Sequence, residues 1–328
     1  MPEASLFNSL SVIIPTYNRK DLLAKALEGY LAQTRPQFIH ELLIVDDGST
    51  DDTESMVRDF GRRSAFPIRY LRQPNQGPAA ARNLGIREAH SALALFTDSD
   101  IFPKRNLVEQ HIEWHRKNPQ MTAAVLGYVT WPPEIEATPF MRWFGENRLF
   151  HFDQLRKRRE ASFRHFYTCN VSLKTEFLRT CGQFDEEFKT AAFEDIELGY
   201  RLSNRGLQLL YNPAAIGYHY QFFSFEDACQ KNLGNAAAAE LFYRKEAGQL
   251  LLKEIQARNT RTGHALVQRL AAAVARLLSP IRPILDSSLP LPGIVYYLFI
   301  WDSTRQKKRR SAVTSSCRPD SQTTASGR

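Results

Sequence analysis

The first hundred residues alternate between two kinds of segment, and this alternation limits the fold more than any other feature. Short apolar, β-branched runs occupy 11–15, 41–45, 67–71 and 92–96. Helix-like stretches lie between them at 20–34, 51–62 and 78–90. Short buried strands alternating with helices imply βαβ units and a mainly parallel sheet. Each run gives way to polar residues: Thr16-Tyr17-Asn18, Asp46-Asp47, Arg72-Gln73 and Asp98-Ser99-Asp100. Open parallel sheets bind ligands beyond the carboxyl ends of their strands. Acidic and aromatic clusters far apart in sequence are therefore expected to meet in one crevice.

The chain is less regular afterwards. A helix is expected at 104–118 and a strand at 123–131, followed by breaks at Pro132, Pro133 and Pro139. A basic stretch (Arg142, Arg148, Arg156, Lys157, Arg158, Arg159, Arg164) is mixed with Trp143, Phe144, Phe150 and Phe152. It reads either as a flap over a ligand site or as surface packing. A strand is expected at 168–173, a helix at 193–205 opening on two carboxylates, and a last strand at 214–220. From about 224 the chain reads as helical. Leu266, Leu270, Val274, Leu277, Leu278 and Ile281 form an apolar stripe. Residues 303–328 are rich in Ser, Thr, Lys and Arg and are expected to be disordered.

With 328 residues, the chain can bury a full core in one large domain, alone or with an appendage. An apolar fraction of 43% and a charged fraction of 24% exclude a collagen-like or largely disordered chain. The longest apolar stretch, 289–301, is too short and too broken by Pro290, Pro292 and Gly293 to span a membrane. The net charge of +8 is uneven: residues 244–328 hold 15 basic and 5 acidic residues, leaving 28 and 30 for the rest. A basic tail suits an anionic membrane surface, at the cytoplasmic face, or equally a solvated helical appendage. No nucleic-acid partner is expected, because the body is slightly acidic and lacks strands that interleave basic and aromatic residues. Cys169, Cys181, Cys229 and Cys317 are too scattered for a disulfide framework or a zinc site, as in a reduced, cytoplasmic protein. The first ten residues show no secretory signal.

Six segments carry the chemistry. They are Ser11-Val-Ile-Ile-Pro-Thr-Tyr-Asn-Arg19, Ile44-Val-Asp-Asp-Gly-Ser-Thr-Asp51, Gly77-Pro-Ala-Ala-Ala-Arg-Asn83, Phe96-Thr-Asp-Ser-Asp100, Gly182-Gln-Phe-Asp185 and Phe193-Glu-Asp-Ile-Glu-Leu-Gly-Tyr-Arg201. In this order and at these intervals they resemble the family 2 glycosyltransferases over residues 10–220. The resemblance implies the GT-A fold: an α/β, Rossmann-like, mainly parallel sheet flanked by helices, here with a helical C-terminal extension. It implies inverting sugar transfer from a nucleoside-diphosphate donor to a hydroxyl acceptor, glycan or lipid-linked, as in cell-surface polysaccharide or glycolipid synthesis. The expected organisation is a catalytic domain over 1–222, with a nucleotide-sugar half at 10–103 and an acceptor half at 104–222. A helical extension at 223–302 and a basic tail at 303–328 follow.

The residue types suit that chemistry. Tyr17 can offer its ring to a base face, and the resemblance adds Pro15, Thr16 and Asn18 as nucleotide lining. Asp47 can accept a hydrogen bond from a pyrimidine imide N–H, with Asp46 its rival, which favours a UDP-type donor. Taken alone, Asp46-Asp47-Gly48-Ser49 reads more simply as a turn with a helix cap. Arg82, with Asn83 beside it, can reach a phosphate or the base, or can be an ordinary surface arginine. Asp98 and Asp100, two apart at a strand end, point the same way and repel unless a cation lies near. Mg²⁺ or Mn²⁺ supplies that cation and neutralises the diphosphate leaving group. The resemblance makes Asp100 the metal ligand and places Asp98 on the ribose or a metal-bound water. The alternative is two solvated loop aspartates.

Glu194-Asp195 matches the family's E-D pair, whose aspartate is the catalytic base. Inversion is one in-line displacement, so a carboxylate must take the proton of the attacking hydroxyl. No second acid is needed, because the nucleoside diphosphate leaves with help from the metal. Asp195 is therefore the expected base and Glu194 an acceptor-binding residue, against the plainer reading of an acidic helix start. His219 either completes the metal site, as in relatives, or is a packed histidine. Two rival functions are a nucleotidyltransferase making sugar nucleotides and a basic adaptor for membrane or nucleic acid. The first is disfavoured by the absence of glycine in Pro15-Thr16-Tyr17-Asn18, where a phosphate loop would stand.

Overall fold

The computed structural model describes residues 7–155, 158–259, 285–287 and 295–296. The apolar stripe at 266–281, the basic end at 303–328, Arg156 and Lys157 lie outside the described residues, as does nearly all of the apolar segment 289–301.

The βαβ alternation is present. β1 (Leu10–Thr16), β2 (Ile39–Asp46), β3 (Ile68–Arg72) and β4 (Leu93–Thr97) are joined by α1 (Lys20–Leu31), α2 (Thr53–Arg63) and α3 (Pro78–Glu88). β1 pairs in parallel with β2 and β4, and β2 with β3. Both faces of these strands are covered, which is why they read as continuous apolar runs. Alternate side chains serve two cores: Ile13, Leu43, Val45 and Phe96 on one face, Val12, Ile14, Leu42 and Ile44 on the other.

The sheet then changes character. β5 (Ile101–Pro103), α4 (Leu107–Lys117), β6 (Ala123–Thr130), α5 (Pro139–Phe144), β7 (Glu160–Ala161), β8 (Asn170–Lys174), α6 (Thr175–Cys181), α7 (Glu194–Ser203) and β9 (Gln208–His219) follow. The strand order is β3-β2-β1-β4-β8-β6-β9-β5, with β7 on β9. β8 runs antiparallel to both β4 and β6, whereas β6 and β9 are parallel. The chain thus has a parallel half followed by a mixed half, flanked by helices.

A buried polar chain fixes the junction between α4, β8 and the bulged β6–β9 pair. Lys174 Nζ can only donate, and it contacts Asn118 O at 2.8 Å, Ala123 O at 3.2 Å and His115 Nδ1 at 3.0 Å. His115 must therefore accept at Nδ1 and donate from Nε2 to Ser172 Oγ (2.8 Å). Ser172 then donates to His111 Nδ1 (2.8 Å), and His111 Nε2 donates to Asn170 Oδ1 (2.9 Å). Asn170 Nδ2 ends the chain on Tyr128 O (3.1 Å) and Ala215 O (2.9 Å). Both histidines are neutral: burial pushes His111 down to about 4, and burial with the nearby Lys174 charge pushes His115 well down. Asn170 reaches these carbonyls because residue 127 is glycine; a Cβ there would stand 2.2 Å from its Nδ2.

The chain divides into two compact units. One takes the described residues of 1–137, 141–222 and 235–258. It includes α9 (Ala236–Arg244) and α10 (Glu246–Asn259) up to residue 258, whose Phe242 and Ala247 cluster with Phe188. The other takes those of 138–140, 223–234 and 259–328. In it α8 (Phe225–Gly234) begins with Phe225 N donating to Asp286 Oδ1 (2.7 Å), and Phe140 packs edge-on against Phe225 and Tyr296. No described helix is long and apolar enough to cross a membrane.

Candidate active site

The carboxyl ends of β1, β2 and β4 lie side by side, with Thr16 paired to Asp46 and Ile13 to Phe96. Parallel pairing thus assembles the acidic crevice expected there. Past β1, Thr16 is buried, Tyr17 is 47% exposed and Asn18 takes a left-handed φ of 50°. Asn18 Oδ1 accepts from Thr50 N (2.8 Å), and its own N–H donates to Ser49 Oγ (2.8 Å), which ties the β1 and β2 loops together.

Asp46 and Asp47 are both buried and bonded within the protein. Asp46 accepts from Ser49 N (2.8 Å) and from the Tyr70 hydroxyl. Asp47 accepts from Gln73 Nε2 (2.7 Å), Gln76 N (2.8 Å) and Gly77 N (2.8 Å). These bonds hold the loop that starts α3. Gly77 sits there at φ 95°, with Lys189 O 2.8 Å from where a Cβ would be, so no other residue fits without a shift.

Arg82 and Asn83 link the two halves. Arg82 is 2% exposed and donates from Nη2 to Asp98 Oδ1 (2.8 Å) and from Nη1 to Glu194 Oε1 (2.9 Å). One buried guanidinium therefore joins the D-x-D and E-D segments, 96 residues apart. Asn83 donates to Phe184 O (2.9 Å) and Glu186 Oε1 (2.8 Å) and accepts from Phe184 N (2.8 Å), pinning the Gly182–Asp185 segment onto α3.

α7 opens the second carboxylate pair. Its cap residue Phe193 has φ 71°, a strained conformation for a bulky side chain, and its ring stacks on Phe242 at 5.0 Å. Glu194 is buried, and Asp195 N–H and carboxylate lie at the first turn, with Oδ1 accepting from Ile196 N (2.8 Å). Burial pushes the Asp195 carboxyl up to about 7; neighbouring Glu194 adds to this and Arg82 opposes it. Burial likewise raises Glu194, against Arg82.

Asp100 and His219 meet because β5 and β9 pair antiparallel, Ile101 opposite His219, with Tyr220 N donating to Asp100 O (2.9 Å). His219 Nε2 lies 3.6 Å from Asp100 Oδ2. Arg19 Nη1 lies 2.5 Å from the same oxygen. Burial opposes ionisation of Asp100, but His219 and Arg19 hold it well below the usual carboxylate range. His219 Nδ1 is buried without a hydrogen-bond partner. Its ring stacks on Trp131 at 5.3 Å. Both line a small pocket, of about 40 Å³, with Tyr128, Arg142, Phe150 and Phe152. Phe144, beside Arg142 in α5, is buried.

His219 Nε2 facing the Asp100 carboxylate at 3.6 Å is a nitrogen and oxygen donor pair that suits a divalent cation such as Mn²⁺ or Mg²⁺. Another group of possible ligands lies elsewhere: His40, Glu41 and His90 offer atoms within 4.8 Å of one another. It stands near the start of β2, five residues of strand away from Asp46, and Arg69 already neutralises Glu41 at 2.8 Å. The crevice, not this cluster, is where the sheet gathers carboxylates.

Sequence reasoning assigned no role to Arg19, Trp131 or Tyr70. Arg19 carried a signal, a cation directly after a polar strand end. The other two are brought in by strand pairing and left none.

A crevice of buried carboxylates at the carboxyl ends of a Rossmann-like sheet, joined to an acidic helix start in a mixed second half, is the layout of a GT-A glycosyltransferase. A family match agrees with it: residues 11–179 match Glycosyl transferase family 2. The chain belongs to that family. The matched span ends before Glu194, Asp195 and His219. Similar proteins include validoxylamine A glucosyltransferase of Streptomyces hygroscopicus subsp. limoneus, 34% identical over 61% of this chain and 49% of that one. They also include chondroitin synthase of Escherichia coli, 28% identical over 74% and 40%. The chain thus spans about half the length, or less, of these curated relatives. Among solved structures, a mannosyltransferase from Pyrobaculum calidifontis in complex with GDP-Man and Mn²⁺ superposes with a TM-score of 0.61. It covers 94% of this chain and 87% of that one at 19% identity, a likeness of fold.

Proposed function

We propose that this chain transfers a sugar from a nucleoside-diphosphate donor to a hydroxyl acceptor with inversion, in a metal-dependent reaction. The observation that carries this is the Asp98–Arg82–Glu194 bridge. It supports this reading because one guanidinium joins Asp98 to Glu194, the neighbour of Asp195, whose carboxyl is raised to about 7. Asp195 takes the proton of the attacking hydroxyl, and its carboxyl near 7 is matched to that task. Glu194 binds the acceptor. Pro15, Thr16, Tyr17, Asn18, Asp46, Asp47, Arg82, Asn83 and Asp98 form the donor side. Asp100 and His219 hold a Mn²⁺ or Mg²⁺ ion, which when bound supplies charge neutralisation to the departing diphosphate.

The solved mannosyltransferase is bound to GDP-Man and Mn²⁺, and a related solved structure, GalNAc-T7, to UDP, GalNAc and Mn²⁺. These support a nucleotide-sugar donor and a metal for this chain; a UDP-type donor is our preferred reading. The likeness to chondroitin synthase supports polysaccharide or glycolipid synthesis. The uneven charge supports attachment of residues 244–328 to an anionic membrane surface. A thermal-shift screen tests the proposal: one nucleoside diphosphate should raise Tm with Mn²⁺ present and not without it. Stabilisation by no nucleotide, or by all of them without metal, contradicts it.

A further inference from the structure

Two side chains, His219 and Arg19, converge on Asp100 Oδ2, and the three residues differ in freedom. Asp100 is buried and pinned by Tyr220 N, and His219 is fixed by strand pairing. Arg19 precedes α1, makes no side-chain cap bond to it, and has a side chain 46% exposed. Its guanidinium nonetheless reaches the buried oxygen at 2.5 Å. A divalent cation bound to that oxygen at about 2.0–2.2 Å would be forced against the guanidinium, with two positive centres on one atom. The guanidinium and the cation therefore exclude each other. A long, half-exposed side chain can leave without disturbing the core.

We infer that Arg19 is a competing counter-ion for the metal carboxylate, and that on release it engages the donor's diphosphate. This rests on the metal-dependent reading above. The planar fork of arginine suits phosphate oxygens, and the α1 start places Arg19 next to Tyr17 and Asn18, on the nucleotide side of the crevice. The consequence is cooperativity. Arg19 weakens binding of the bare metal and strengthens binding of nucleotide once the metal is present, so each ligand favours the other. Asp100 is a proposed metal ligand; Arg19 occupies it before the metal binds and contacts the donor afterwards.

The test uses the full chain, with free Mn²⁺ followed by electron paramagnetic resonance, without nucleotide and with UDP or GDP. Relative to wild type, Arg19→Gln should bind Mn²⁺ alone about tenfold more tightly and bind UDP at saturating Mn²⁺ about tenfold more weakly. Arg19→Lys, which keeps the charge but loses the fork, should shift both in the same senses by less, and serves if the glutamine variant does not fold. Asp100→Asn should abolish Mn²⁺ binding. A merely structural role moves both affinities the same way; that result, or no change in either, overturns the inference while leaving metal dependence standing. Wild type that binds no Mn²⁺ with any nucleotide overturns both.

Discussion

At the scale of single residues, the Asp195 carboxyl near 7 has two consequences of opposite value. An unfolded aspartate titrates near 3.9. Between about 4 and 7 the folded chain holds the extra proton, so stability falls as pH rises through that window and stays lower above it. Asp195→Asn removes this cost. It should raise Tm at pH 8, on the order of 2–4 °C per kcal/mol recovered, in a differential scanning measurement. The same variant should lose transfer by about 10²–10⁴-fold while holding nucleotide as wild type does. In the wild type, kcat/KM should rise with pH and level off above about 7. A flat profile, or an active Asn variant, would remove Asp195 from the role of base.

Arg82 is the other residue whose substitution is decisive. Removing a buried charge from between two carboxylates leaves them unpaired, so Arg82→Met should cost about 3–5 kcal/mol in urea unfolding. This is also where sequence reading stopped short. The segment Gly77 to Asn83 left Arg82 either as a ligand-reaching or as a surface arginine, and the structure buries it. That its two ends are taken by Asp98 and Glu194 depends on a tertiary meeting of three segments, which no local pattern encodes. Asp46 and Asp47 are similar: their acidity was legible, but their backbone and glutamine partners arise from loop closure.

At the scale of elements, the parallel half was legible nearly residue for residue, because strands buried on both faces announce themselves as apolar runs. The mixed half was less so. β9 was read as 214–220 and is Gln208–His219. Pro213 lies in its middle, where the residues paired with β6 jump from Asn212 to Ile216, so the irregular pairing of β9 hides its first half from a sequence pattern. β5 is three residues long, too short for any period to show. The start of α7 is an element-level device: left-handed Phe193, whose strain is worth about 1–3 kcal/mol, is held by its stack on Phe242 of α9. Phe242→Ala should therefore cost about 3–5 kcal/mol and also lower kcat with little change in nucleotide affinity, by freeing the carboxylates that follow. If kcat is untouched, the stack serves stability alone.

At the scale of the whole molecule, charge and chemistry separate along the chain. The carboxylate crevice is built from residues before 220, whereas the excess of basic residues lies from 244 onward. If that excess attaches the enzyme to anionic lipid, the full chain should float with liposomes containing phosphatidylserine and a chain ending near 260 should not. Equal behaviour of the two would reduce the tail to a solvated appendage.

The β5–β9 pairing also orders events in time. Asp100 and His219 are separated by 119 residues of chain, so their meeting is among the long-range contacts that are last to repay their loop-closure cost during folding. The strands β1 to β4 can associate locally while Asp100 and His219 are still apart. If Asp100 and His219 hold the metal as proposed, a chain whose last strand is not yet paired cannot bind Mn²⁺ between them.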